Sequence, residues 1–326
     1  MKVVNQPFVP VVEEAWLRAT YVDLLLEYAK KDPQIVVLDA DLMKASGVTR
    51  FAEAMPERAI NVGVAEANMV SIAAGLSAMG KIPFTHTFTP FATRRVCDQV
   101  TLSVAYAGLN VKLVGSDPGV TAELNGGTHM SMEDVSIMRN IPGMIVYEPV
   151  DSAQLRAVFP QILAHYGPVY IRLMRRPATK IFDENIAVEL GKGILLRTGK
   201  EVTLFATGIL VADALQAADA LEAEGISAEV INIHTIKPLD SAMVLQSAQK
   251  TGAVVTVENA SIIGGLGSAV AECLCENLPT PLQRVGVKDC FGEVGPLSYL
   301  KEKFGLNVEG IVNAAHAVIE KKEARK

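Results

Sequence analysis

NVGVAEANMVSIAAGLSAMG at 61–80, followed directly by KIPFTHTF at 81–88, decides the fold. The residues around Ile60–Val64 read as a strand. EANMVSIAAGLSAMG carries a helical pattern, and KIPFTHTF reads as the next strand. Ala, Gly and Ser dominate the helix, so a neighbouring element can approach it closely. Strand, helix and strand in so short a span form a βαβ unit, the building block of a parallel sheet.

The alternation extends in both directions. Upstream, Val12, Trp16, Ala19, Val22, Leu25, Leu26 and Ala29 recur at helical spacing over 12–31, and IVVLDADL at 35–42 is a strand entering a polar loop. Downstream come a helix from Phe91 to Ala107, the strand NVKLVGS, a Gly-rich loop at 119–129, a helix at 131–139 and the strand MIVYEP. After GPVYIRLM, the stretch RRPATKIFDENIAVELGKGILLRTGK has Pro, Gly and charges without a period and reads as an interdomain linker. A second alternation starts near 193 with EVTLFATG, a helix from Val211 to Glu224, SAEVINIHTIKPLD, GAVVTVEN and the helix SAVAECLCENL. The expected fold is α/β: two αβα domains with mainly parallel sheets, over 1–185 and 193–326.

A length of 326 residues suits two domains. Half the residues are hydrophobic, yet no apolar run approaches the roughly 20 residues of a membrane span. Asn5, Gln6 and Pro7 interrupt the start of the chain, and Glu13 and Glu14 follow, unlike a secretory leader, so a cytoplasmic protein is expected. A net charge of −6 without a Lys/Arg block argues against nucleic acid as the main partner. Cys97, Cys273, Cys275 and Cys290 lack CxxC spacing and read as reduced thiols. GGLGS at 264–268 partly imitates a dinucleotide-binding turn, but its third spaced glycine is missing and the acidic residue, Glu258, precedes it. A tight structural turn is the simpler reading. The charged tail at 319–326 reads as a solvated helix end.

Three segments carry the chemistry: NVGVAEANMVSIAAGLSAMG, THTFTPFATRR (85–95) and GVTAELNGGTHMSMEDVSIMRNIPGMIVYEPVD (119–151). In order and spacing they resemble the pyrimidine-binding domain of transketolases and deoxyxylulose phosphate synthases. HTIKPLD, GGLGSAVAE and VGVKDCFGEVGP resemble the C-terminal domain of the same enzymes. The resemblance covers nearly the whole chain and implies thiamine diphosphate as cofactor. It places Glu66 as the catalytic glutamate that bonds N1′ of the aminopyrimidine, whose 4′-nitrogen then takes the thiazolium proton; the cofactor does the carbon chemistry and the protein tunes it. By itself, Glu66 is equally a carboxylate favoured by a helix N-terminus.

Phe88 and Phe91 match the aromatic residues on which the family packs the pyrimidine, although two Phe at this spacing are ordinarily core. Arg94 follows one turn on, where relatives vary, and is a further, lower-ranked cofactor-binding candidate. His129 in GGTH matches a substrate-facing histidine that bonds donor hydroxyls and relays protons; a loop staple is the alternative. Asp41 matches an aspartate near the cofactor, and Arg18 and Arg175 match arginines that recognise phosphate, a task suited to the planar guanidinium. His86, His165, His234 and His316 match nothing and read as structural.

The family holds the cofactor diphosphate through Mg²⁺ on a GDG motif, and no GDG occurs here. The resemblance therefore implies a partner subunit that carries the diphosphate and Mg²⁺, an α2β2 assembly, and transfer of a two-carbon ketol unit from a ketose donor to an aldose acceptor. The β subunit of a 2-oxo acid dehydrogenase, a deoxyxylulose phosphate synthase and a non-catalytic scaffold are the rivals; GGTH, Arg18 and Arg175 favour sugar chemistry. Three positions depart from the family. Asp117 stands where many relatives have a phosphate-contacting histidine, Asn125 where a donor-sensing aspartate is usual, and Ala45 where a serine is usual, with Lys44 and Ser46 adjacent. At 4 Å and an effective dielectric of about 20, an aspartate and a phosphate repel by roughly 4 kcal/mol per charge pair. Either Asp117 pairs with an arginine such as Arg18, or the sugar is not an ordinary phosphate.

Overall fold

The computed structural model describes residues 7–325; Asn5 and Gln6 in the expectation about the chain's start, and Lys326 in the charged tail, lie outside them. Six strands build the first sheet in sequence: β1 (Ile35–Asp39), β2 (Ala59–Asn61), β3 (Ile82–Phe88), β4 (Lys112–Ser116), β5 (Ile145–Tyr147) and β6 (Val169–Leu173). They lie side by side in the order β5-β6-β4-β3-β1-β2, all parallel. β1, β4 and β6 are buried along their whole length, as expected of strands covered by helices on both faces. The helix Glu66–Ala78 crosses between β2 and β3.

The remaining strands are β7 (Ile194–Arg197), β8 (Val202–Ala206), β9 (Ala228–Asn232), β10 (Thr235–Lys237), β11 (Val254–Ser261) and β12 (Leu282–Val287). Five of these form the second sheet, β12-β11-β8-β9-β7, parallel except where β7 meets β9. β10 departs from the expected partition. It lies in sequence inside the second domain yet pairs antiparallel with β5, completing the edge of the first sheet. Lys237 fastens it by donating from Nζ to the carbonyls of Arg139 (2.8 Å) and Ile141 (2.5 Å).

A buried polar seam also joins the halves. Arg172 on β6, fully buried, bonds Asp134 through Nε (2.6 Å), Glu148 through Nη1 (2.7 Å) and the Asn259 carbonyl at the end of β11 (2.9 Å). Asn259 returns its side chain to Val120 N–H and the Pro118 carbonyl, both at 2.9 Å. Charges this deep persist only when paired and hydrogen-bonded; here Asp134 and Glu148 come from the first domain, and the Asn259 carbonyl and the Thr207 hydroxyl, which bonds Glu148 at 3.1 Å, come from the second.

The GGLGS turn is occupied by the protein itself. Glu258 accepts from Leu266 N–H (2.7 Å) and Gly267 N–H (2.8 Å), and a Cβ on Gly265 would meet its Oε2 at 1.9 Å. Burial pushes Glu258 up to about 7, with those two N–H groups pulling the other way. The helix N-terminus thus holds an internal anion where a dinucleotide would need its pyrophosphate. His86 is structural: it is buried, lies 2.7 Å from Tyr21 Oη, and burial lowers it to about 4. No helix among the described residues is long and apolar enough to cross a membrane.

Candidate active site

Parallel α/β sheets bind ligands beyond the carboxyl ends of their strands, where loops leave the sheet in opposite directions. The candidate residues collect there: Asp41 follows β1, Phe88 ends β3, Asp117 follows β4 and Arg175 follows β6. Glu66 opens the helix after β2 and is buried.

The helix expected over 91–107 is broken, and the break shapes the site. A short helix Thr89–Ala92 stops at Thr93 (φ −124°, ψ −85°), whose hydroxyl bonds the Thr89 carbonyl at 2.8 Å; a 3₁₀ turn Arg94–Val96 and a π-helix Gln99–Tyr106 follow. A threonine that bonds the carbonyl four residues back perturbs the ladder there, and π-helical turns recur at functional sites. Arg94 and Arg95, adjacent in that 3₁₀ turn, go to different places. Arg94 reaches Glu133 (2.9 Å) and the Thr128 carbonyl (3.1 Å), clamping the GGTH loop. Arg95 lays its guanidinium 3.7 Å from the centre of the Phe91 ring and donates to Glu66 Oε1 at 2.7 Å. Arg95 was not singled out from the sequence, although its spacing of four from Phe91 is that of neighbours on one helical face.

Phe88, Phe91 and His129 form an aromatic corner. The Phe rings lie 6.3 Å apart, and His129 stands edge-on to both, 5.8 Å from Phe88 and 5.2 Å from Phe91. The loop bearing His129 rests on the C-terminal half, since a Cβ on Gly127 would lie 2.4 Å from the Gly292 carbonyl. This close approach explains a glycine in GGTH that the sequence alone left unexplained.

A second group lies against Phe88. The Arg175 guanidinium sits 5.2 Å from the Phe88 ring centre and its Nε pairs with Asp117 Oδ2. Arg175 N–H also donates to Asp117 Oδ1 (3.2 Å), and Asp117 N–H to the Leu173 carbonyl (3.0 Å). Asp117 is buried and adopts φ 55°, a left-handed conformation that Asp and Asn tolerate better than most side chains. Burial raises it to about 6 despite the pull of Arg175 and Arg18. Arg18 stacks 4.6 Å from the Trp16 ring and donates to the Ala45 carbonyl at 2.5 Å. Burial and the Arg175 charge lower its affinity for its proton. Of the two alternatives for Asp117, arginine pairing is found, with Arg175 as the partner in place of Arg18.

The remaining positions are more peripheral. Asp41 (φ 63°) is exposed and tied to Asn61 through its backbone N–H at 3.2 Å. Ser46, adjacent to Ala45, points inward to Asp39 Oδ2 at 2.9 Å and does not take the place of the serine usual at Ala45; Lys44 is exposed. Asn125 is exposed at the end of the 3₁₀ turn Gly119–Asn125. Arg176 pairs with Glu123. The cleft of about 930 Å³ lined by Arg139, Lys237 and Glu272 includes none of the candidate side chains.

Residues 14–179 match the transketolase pyrimidine-binding domain and residues 191–311 the transketolase C-terminal domain. The chain belongs to the transketolase family. Its sequence is 74% identical over 98% of its length to the 6-deoxy-6-sulfo-D-fructose transketolase subunit SqwH of Clostridium sp. (strain MSTE9), all of which is covered. A putative transketolase C-terminal section of Methanocaldococcus jannaschii is 43% identical, with 90% of this chain and 93% of that one aligned. The solved structure of a split-gene transketolase, an inactive β4 tetramer, superposes with a TM-score of 0.87 at 44% identity, covering 95% of this chain and all of that one. The chain thus corresponds to the C-terminal half of a transketolase carried as a separate subunit, in a family that works with thiamine diphosphate.

Proposed function

We propose that this subunit supplies the pyrimidine and substrate side of a ketol-transferring active site whose donor is a 6-deoxy-6-sulfo ketose. The contact set at Glu66 and Phe91 carries the cofactor part of this reading. Arg95 presents a flat, N–H-bearing group that already stacks on Phe91 and donates to Glu66, the two contacts an aminopyrimidine ring requires. The residues fit the group. When bound, thiamine diphosphate supplies a thiazolium carbon that accepts and releases the ketol unit. Glu66 would hold the proton shared with N1′, Phe88 and Phe91 would fix the ring, and His129 would bond donor hydroxyls from the aromatic corner. Asp41 lies at the cofactor's edge, Arg94 acts through the loop it clamps, and Asn125 borders the donor.

The SqwH relative supports the sulfonated donor, with Arg18 and Arg175 as its anion-binding pair. The same relative is itself named a subunit, which supports an N-terminal partner that holds Mg²⁺ and the diphosphate, in an α2β2 assembly. So does the exposed apolar surface around the helix that Glu66 opens. Val64, Met79, Leu102 and Tyr106 are 75%, 81%, 55% and 88% exposed, and the helix Glu66–Ala78 carries no charge after its first residue. Bare apolar side chains at both ends of the helix that Glu66 opens and on the neighbouring π-helix suit a protein partner. Four unpaired cysteines suit a cytoplasmic location.

Reconstitution tests the proposal. With the N-terminal subunit, thiamine diphosphate, Mg²⁺, 6-deoxy-6-sulfofructose and ribose 5-phosphate, mass spectrometry should detect a four-carbon sulfo-aldose and a seven-carbon ketose phosphate. Consumption of a 2-oxo acid with CO₂ release, and no sugar transfer, would overturn it.

A further inference from the structure

The donor's distal end meets an anion site with an unusual charge balance. Two guanidiniums, Arg18 and Arg175, face it together with one carboxylate, Asp117. That carboxylate is no loose surface group. It is buried, paired through Nε of Arg175, and bonded to the backbone N–H of the same arginine, and its own N–H is anchored on β6. Arg18 commits Nη1 to the Ala45 carbonyl and keeps its other N–H groups without an acceptor among the described residues. Arg176, the next basic side chain along, is already neutralised by Glu123. Two positive charges against one negative leave a single net positive charge.

We propose that Asp117 is a specificity-determining residue that sets this site for a monoanionic sulfonate over a dianionic phosphate. The inference rests on the sulfo-ketose reading and deepens it. A sulfonate carries one negative charge throughout the physiological range, whereas a phosphate monoester titrates near pH 6 and carries between one and two at pH 7. Against one net positive charge the sulfonate is balanced. The phosphate dianion brings an uncompensated charge next to a buried carboxylate, where screening by salt is weak. The three sulfonate oxygens still find the free N–H groups of the two arginines, so selectivity arises from the opposing charge and not from fewer donors. Partial protonation of Asp117, whose burial favours the neutral acid, softens the selection at low pH.

The test compares Asp117→Asn with the wild type, each reconstituted with its partner and cofactor. Asn keeps the size and the tolerance of φ 55°, so folding is preserved, and the thermal midpoint of each complex checks this. The kcat/KM ratio of 6-deoxy-6-sulfofructose to fructose 6-phosphate should exceed one in the wild type. In Asp117→Asn it should move toward phosphate by ten-fold or more, chiefly through KM. Ethanesulfonate and ethyl phosphate as competitive inhibitors should show the same crossover without relying on turnover. An equal change for both anions would overturn the role of Asp117. Absence of turnover on the sulfo-sugar, together with a gain for phosphate in Asp117→Asn, would instead remove the sulfo-ketose reading and leave Asp117 as the charge-setting residue.

Discussion

Two arginine–carboxylate pairs lie against the aromatic corner, one at Phe91 and one at Phe88, and they are built differently. Arg95–Glu66 is a side-chain contact only: the arginine side chain is 43% exposed, rests on the face of Phe91, and meets a carboxylate that is 4% exposed. Arg175–Asp117 is fixed by the chain itself, through the Arg175 N–H, the Leu173 carbonyl and the left-handed turn at Asp117. The first pair can part by rotating one flexible side chain. The second parts only if the loops after β4 and β6 move. In the proposed reading, the separable pair occupies the place that the cofactor ring takes, and the fixed pair remains when substrate binds and forms part of what the substrate meets.

The largest effect is expected at Glu66. Glu66→Gln keeps the shape and can still accept from Arg95, but cannot share a proton with N1′. Turnover of the reconstituted enzyme should fall by at least 10²- to 10⁴-fold, the usual range for an acid–base group. Steady-state kinetics near the wild-type rate would remove Glu66 from the mechanism.

Arg95→Met keeps an unbranched stem and removes the guanidinium. If the pair is a placeholder, the variant should bind thiamine diphosphate about 5- to 30-fold more tightly in the presence of the partner, since a cation–π contact and a half-exposed ion pair are each worth roughly 0.5–1 kcal/mol. Isothermal calorimetry reads this directly. Weaker binding would make Arg95 a permanent part of the cofactor site and erase the contrast between the two pairs.

The fixed pair has a pH signature. Asp117 holds its proton to about pH 6 in the fold, above the ordinary carboxylate value near 3.9, so the native state binds more protons than the unfolded chain between about pH 4 and 6. Its contribution to stability is therefore most favourable below that window and declines as pH rises through it. Relative to wild type, Asp117→Asn should raise the thermal midpoint of the isolated chain by a few degrees at pH 8, and the gain should shrink toward pH 4. A difference independent of pH would mean that Arg175 fully offsets the burial of the carboxylate.

The smallest effect is expected for Arg94→Ala, which removes the link from Glu133 to the Thr128 carbonyl of the GGTH loop. KM for the donor should rise a few-fold with cofactor affinity unchanged. A loss of cofactor affinity as large as the rise in KM would return Arg94 to the cofactor.

Much of the fold was legible because buried parallel strands and small-residue helices write distinct patterns, as at IVVLD and EANMVSIAAGLSA. The stretch from Phe91 to Ala107 was not, since its apolar spacing is helical and the break arises from a single threonine hydroxyl competing for a carbonyl. That break sets Arg94 and Arg95 together in a 3₁₀ turn, where Arg94 becomes the loop clamp and its neighbour makes the contact with Glu66. β10 was illegible for another reason: three residues carry no sign of which sheet they will join. Pairing across such a separation is decided by tertiary packing.

β10 also bears on what happens when the chain is cut. The stretch between Phe182 and Gly193 is the obvious place for a protease nick or a gene break, yet a fragment starting there would carry off the strand that closes the first sheet and the Asn259 carbonyl that receives Arg172. The upstream fragment would be left with an open edge at β5 and a guanidinium short of one acceptor. A nicked molecule should therefore migrate as one species under native conditions and as two only after denaturation, and chimaeras that exchange these halves between distant relatives must carry β10 and Arg172's partners across together.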